Sequence, residues 1–190
     1  QKCCLLMKTH IQDPNGTDLM AVKDMICPDY KVIFVEEVLH PQIMNYFYIL
    51  ADVTVNFSSA EGFGLGIAES IMAGTMVTAP VTGGLQDQMG FSFTPSPKVP
   101  TNHRGLTGKC GEWVLPIFPR ARQLQGSIPT PYIFDDVCDA EDLATNLRTI
   151  YRFGTDERNK KGLVGREFML ENFSSEKMCS DFVTKVELLL

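Results

Sequence analysis

Two glutamates, Glu61 and Glu69, stand with seven residues between them, and the intervening loop begins Gly62-Phe63-Gly64-Leu65-Gly66. Glycines lack a Cβ, so this backbone can pass close to a ligand and can take positive φ. The loop runs straight into a helical pattern. The first N–H groups of a helix have no intrahelical partner, and they carry the positive end of the dipole. Such a terminus is a ready seat for a diphosphate. Carboxylates beside a phosphate repel it, and they suit neutral hydroxyls on either side of it. A ligand with one diphosphate flanked by hydroxyl-bearing groups is a nucleotide sugar. The glycines alone would also fit a structural turn, and Glu69 alone a solvated acid in the first helical turn. The two carboxylates together with the glycines carry the functional reading.

The elements that must position this loop alternate along the chain. Residues 3–7 read as a strand and 17–27 as a helix stopped by Pro28. The β-branched run Lys31–Val35 reads as a buried strand. Residues 41–50 form a helix with Pro41 in its first turn and Ile43, Tyr46, Phe47 and Leu50 on one face. Strand Val53–Phe57 leads into the glycine loop, a short helix covers 67–73 with Gly74 as its C-cap, a strand covers 76–79, and Gly83-Gly84 opens another short helix. This alternation predicts an α/β fold, a parallel sheet with helices on both faces, which binds ligands beyond the carboxyl ends of its strands. From 91 to 131 the pattern loosens, with seven of the eleven prolines between Pro95 and Pro131. That stretch reads as an irregular insertion around one strand at 112–115. Residues 140–190 read as a helical tail, opened by Asp139 as an N-cap.

Composition bounds the function. The 190 residues suit one domain able to bury a core. The formal net charge of −6 argues against nucleic acid as a partner. No run approaches the ~20 apolar residues of a membrane span, and no secretory signal is visible. Six cysteines without metal-ligand spacing fit a reducing, cytoplasmic setting. The N-x-S/T triplets at Asn15, Asn56 and Asn172 read as chance matches. The chain opens on Gln1 within a strand pattern, which leads us to expect a larger gene product.

Roughly residues 30–90, and the C-terminal helices more loosely, resemble retaining glycosyltransferases of the GT-B fold, family four especially, with the donor-site signature at their centre. The resemblance rests on Glu61-Gly62-Phe63-Gly64 and Glu69, on Tyr48-Ile49-Leu50-Ala51-Asp52 before them, and on Ala73-Gly74-Thr75 and Thr82-Gly83-Gly84-Leu85 after them. It implies a Rossmann-like C-terminal domain of a GT-B enzyme that binds a nucleotide sugar. By the same resemblance, Glu61 is the catalytic-site acid near the reacting carbon. Phe63, Gly64 and Leu65 offer N–H groups to the sugar and diphosphate, beside Gly62. Glu69 grips the ribose, the loop around Val38 lines the base, and Gly83 and Gly84 shape the pocket. The family uses no bound metal and no further cofactor. Its Arg–Lys pair and its acceptor-binding N-terminal domain would lie upstream of residue 1, and Gln86-Asp87 stands where many members carry Glu. The acceptor is unspecified.

Other residues have plainer readings. His10, His40 and His103 are scattered. Trp113 fits core packing, and Tyr46, Phe47 and Tyr48 fit helix packing. Arg104, Lys109, Arg120 and Arg122 read as a solvated loop, and Asp135-Asp136 as a polar turn. Rival readings are a dinucleotide-binding dehydrogenase domain, whose glycine register is missed, a nucleotide-sugar epimerase of the same architecture, and a non-catalytic nucleotide-sugar-binding module.

Overall fold

A computed structural model of the chain describes residues 3–14, 16–91, 109–126, 128 and 132–189. Of the expected insertion, residues 92–108, 127 and 129–131 lie outside the described residues, His103 and Arg104 among them. The chain divides into two compact units, Gln1–Pro41 and Gln42–Leu190.

In the first unit, β1 (Leu5–Lys8) and β2 (Val32–Val35) pair in parallel, with Leu5 opposite Val32. Helix α1 (Leu19–Ile26) joins them. The Asp18 side chain accepts from Met20 N and Ala21 N and caps that helix. The Ala21 bond, first among several, holds the Asp18 carboxyl below its ordinary pKa.

Helix α2 (Pro41–Leu50) has the expected bounds and belongs to the second unit from Gln42 onward. Strands β3 (Thr54–Val55), β4 (Val77–Pro80) and β5 (Val114–Ile117) form a parallel sheet with β4 in the middle. Every residue of β4 is buried. The Thr78 hydroxyl meets that burial by donating to Leu115 O at 2.8 Å and accepting from Asn146 Nδ2 at 3.0 Å. Helices α3 (Leu65–Met72) and α4 (Leu85–Gln88) follow β3 and β4. The core joins Ile67, Ile71, Val77, Leu85, Trp113 and Met169 in one cluster. Trp113 is core, as expected, and its Nε1 donates to Gln88 O at 3.1 Å.

Helices α5 (Ala140–Arg152), α6 (Thr155–Phe173) and α7 (Ser175–Glu187) make the expected helical C-terminal part. Asp139 and Ser174 cap α5 and α7. Gly162 and Gly165 of α6 are buried where α6 meets α3: a Cβ on Gly162 would lie 1.8 Å from Gly74 O. The class is therefore α/β, with parallel strand pairs and helices. Among the described residues no helix is long and apolar enough to cross a membrane.

Four readings need correction. The strand expected at 112–115 is Val114–Ile117, because Trp113 turns into the core before the ladder begins. The region after it is not loop throughout: β6 (Ala121–Gln125) and β7 (Ile133–Val137) form an antiparallel ribbon, Ala121 opposite Val137. Asp135 and Asp136 lie in β7, and Asp136 is only 2% exposed. Arg120 and Arg122 are not simply solvated. Arg120 pairs with Asp139 and Asp142 at 2.8 and 2.7 Å, and Arg122 with Asp136 at 3.1 Å.

Candidate functional site

Strand β3 ends at Val55, and Asn56 begins the loop. Asn56 Oδ1 accepts from Ser58 N at 2.8 Å, which fixes the side chain. Asn56 Nδ2 then donates to Glu61 Oε2 at 3.4 Å, a long bond that orients the carboxylate. Glu61 is half-buried, while Gly62 beside it is exposed. A Cβ added to Gly62 would meet nothing within 4 Å.

Helix α3 starts from Gly64 at φ +84°, and no side chain caps it. Gly64 O accepts from Ile67 N and Ala68 N at 3.0 and 3.1 Å. Among the described residues, the Leu65 and Gly66 N–H groups have no partner. The helix start therefore presents two unmatched donors. Leu65 is 68% exposed beside them, whereas Gly64 is buried. Phe63 O accepts from Gln88 Nε2, and the Phe63 ring lies 6.0 Å from that of Phe173.

The second glycine loop packs directly on the first. Gly84 N donates to Gly62 O at 2.9 Å. A Cβ on Gly84 would sit 2.2 Å from Gly62 O, and one on Gly83, itself at φ +47°, 1.8 Å from Glu61 O. Only glycine permits that approach, so Gly83 and Gly84 shape the site by holding the Glu61 loop. Asp136 clamps the same loops. Its N–H donates to Ser59 O at 2.9 Å, and its Oδ2 accepts from the Thr82 hydroxyl at 2.8 Å. Arg122 Nε donates to Asp136 Oδ1 at 3.1 Å, and the guanidinium lies 5.4 Å from the centre of the Phe134 ring.

These pieces surround an open depression of about 470 Å3. The loops contribute Ala60, Glu61, Gly62, Thr82 and Gly83, and the ribbon contributes Arg122, Ile133 and Phe134. Glu69 is not among its lining. Glu69 is exposed on α3, where Oε2 accepts from the Tyr48 hydroxyl of α2 at 2.9 Å. The Tyr48 phenol is pushed up to about 12, first by burial, then by donating to Glu69 and by that carboxylate's charge. Val38 belongs to the first unit and is 98% exposed there. Among the described residues no three His, Cys, Asp or Glu side chains are grouped to hold a metal ion.

The sequence pattern marked Glu61, Glu69 and the glycines, but missed four residues around them. Tyr48 read as helix packing, although its place in Tyr-x-x-Ala-Asp was a signal. Asn56 closed a strand without advertising its bond. Arg122 was hidden because every residue of β6 is exposed and shows no alternation, and Asp136 because the pair Asp135-Asp136 reads as a turn. A scan against protein-family models finds no match for this chain, and a search of curated proteins finds no significant relative.

Proposed function

We propose that residues 42–190 are a Rossmann-like, nucleotide-sugar-binding domain of a GT-B glycosyltransferase. The observation that carries this reading is the junction at residues 61–66. An oriented carboxylate, an open backbone at Gly62 and two unmatched helix-start N–H groups follow one another within six residues. The helix start would take the diphosphate, and its dipole would stabilise the charge that gathers there as the sugar departs. Glu61 would hold a hydroxyl of the transferred sugar, and Glu69, steadied by Tyr48, the ribose hydroxyls. In this reading no metal is required, transfer proceeds with retention, and a separate N-terminal domain supplies the other wall of the cleft that holds the acceptor.

The test is thermal unfolding of the chain with UDP, GDP and ADP and their sugar conjugates, since a ligand bound by the native state alone raises Tm. We expect a shift with one nucleotide class that shrinks in Glu69→Gln. A flat response across the panel would sink the reading.

A further inference from the structure

We infer that the β6–β7 ribbon completes a carbohydrate acceptor subsite in the Glu61 depression, with Arg122 and Phe134 as its recognition residues. The inference rests on the nucleotide-sugar reading above and adds to it the class of acceptor.

The depression is large enough for more than the transferred sugar: about 470 Å3 lies within the ~300–1,000 Å3 of small-molecule sites. The helix-start residues Leu65 and Gly66 are not part of its lining, so the diphosphate end of a donor lies outside it. What the depression holds is the sugar end and whatever meets it. Among its described lining residues two are charged, Glu61 and Arg122, and they are opposite in sign. Arg122 uses Nε on Asp136, and its terminal nitrogens have no hydrogen-bond partner among the described residues. The Asp136 pair and the Phe134 ring hold the guanidinium in place, so little ordering is left for a ligand to impose.

A ligand spanning this wall and Glu61 must accept from the guanidinium and donate to the carboxylate. A hydroxyl does both, while a phosphate or carboxylate does only the first and an ammonium only the second. The same wall exposes apolar surface, Phe134 at 55% and Ile133 at 47%. An apolar face edged by hydroxyls is the surface of a pyranose ring. A carbohydrate therefore meets the wall's donors, acceptor and apolar patch together.

The experiment is saturation-transfer NMR on the whole chain with the methyl glycosides of glucose, galactose, mannose and N-acetylglucosamine, and with pyrophosphate as an anionic control. We expect at least one glycoside to bind, and to stay bound when the nucleotide sugar that raises Tm is added. Arg122→Lys keeps a cation for Asp136 but loses the planar fork, and should weaken that glycoside about tenfold. Phe134→Leu keeps an apolar residue without the ring, and decides the matter should the lysine variant fail to fold. Glycoside displaced by the nucleotide sugar would assign the wall to the donor and overturn the inference, as would pyrophosphate binding alone. No glycoside signal beside an intact nucleotide shift overturns this inference only. Silence from both sets overturns the nucleotide-sugar reading as well.

Discussion

The Tyr48 hydroxyl donates to Glu69 Oε2 across 2.9 Å and so links α2 to α3 at the exposed edge of the second unit. A lone glutamate on a helix surface samples several rotamers, and a ligand that needs it in one of them must order it. Tyr48 does part of that ordering in advance. Tyr48→Phe should cost ~0.5–1.5 kcal/mol of stability, the worth of one hydrogen bond. It should weaken nucleotide-sugar binding severalfold. Denaturant midpoints and a nucleotide titration on the same variant check both numbers. A loss of stability with unchanged nucleotide affinity would reduce the pair to a structural tie.

The same pair sets a pH dependence. The Tyr48 phenol is raised from 10.0 to about 12. The folded state therefore keeps a proton that the unfolded state gives up sooner, so stability must fall as pH rises through this window. The contribution is complete below pH ~10 and is lost between ~10 and ~12. Tyrosinate absorbance should show a phenol that titrates at about 12, and it should be missing in Tyr48→Phe. A late phenol that persists in Tyr48→Phe would contradict this assignment.

Gly62 and Gly84 meet through one hydrogen bond and yet should respond oppositely to alanine. A methyl on Gly84 runs into Gly62 O, whereas a methyl on Gly62 meets open space. Gly84→Ala should cost ~1–3 kcal/mol through forced displacement of the loops. Gly62→Ala should leave stability unchanged or raise it by up to ~1 kcal/mol, by narrowing the unfolded ensemble. If the open face of Gly62 is where ligand backs onto the chain, Gly62→Ala should still lose nucleotide affinity. Thermal unfolding of both variants, with and without nucleotide, separates fold from site.

The loops of this site were legible because their residue types leave few alternatives. Glycine at 83 and 84 is demanded by backbone contact, and the apolar run into β4 by burial on all sides. Helix α2 could be bounded to the residue because Pro41 and its apolar face mark it. The β6–β7 ribbon was illegible for the opposite reason. The residues Ala121–Gln125 are exposed throughout and carry no period, and Asp135-Asp136 looks like a turn until Arg122 and Thr82 are seen to satisfy Asp136. Partners supplied from 14 and 54 positions away leave no trace in local pattern. The division at residue 41 was not marked either, because Pro41 also opens a helix.

Asp136 should behave as a keystone for both loops. It fixes Thr82 ahead of Gly83 through its side chain and Ser59 ahead of Glu61 through its N–H. Asp136→Ala leaves the Thr82 hydroxyl and Arg122 Nε without their acceptor, at a cost of ~1–3 kcal/mol. Asp136→Asn keeps one acceptor oxygen but removes the charge beside Arg122, and should cost less. Amide hydrogen exchange should show Gly84 N–H losing protection in the alanine variant before the core strand β4 does. Uniform loss across both would mean that Asp136 supports the whole unit rather than the loops.

Helix α6 offers the sharpest case of local propensity losing to packing. Alanine is favoured over glycine inside a helix by ~1 kcal/mol, so Gly165→Ala would stabilise an isolated α6. In the folded chain that methyl would lie 2.5 Å from Trp113 Cγ and 3.0 Å from Ile71 Cγ2, both packed in the core. Trp113 yields only at a cost, because it is pinned by its bond to Gln88 O and by the Phe168 ring at 4.7 Å. The overpacking cost of ~1–3 kcal/mol should therefore win. Gly165→Ala should lower Tm, and near-ultraviolet circular dichroism should report a displaced Trp113. Since Trp113 also meets Gln88, whose side chain holds Phe63 O, the shift should reach the loop that carries Glu61. A Gly165→Ala protein with raised Tm would show that α6 sits farther from the sheet than these distances require.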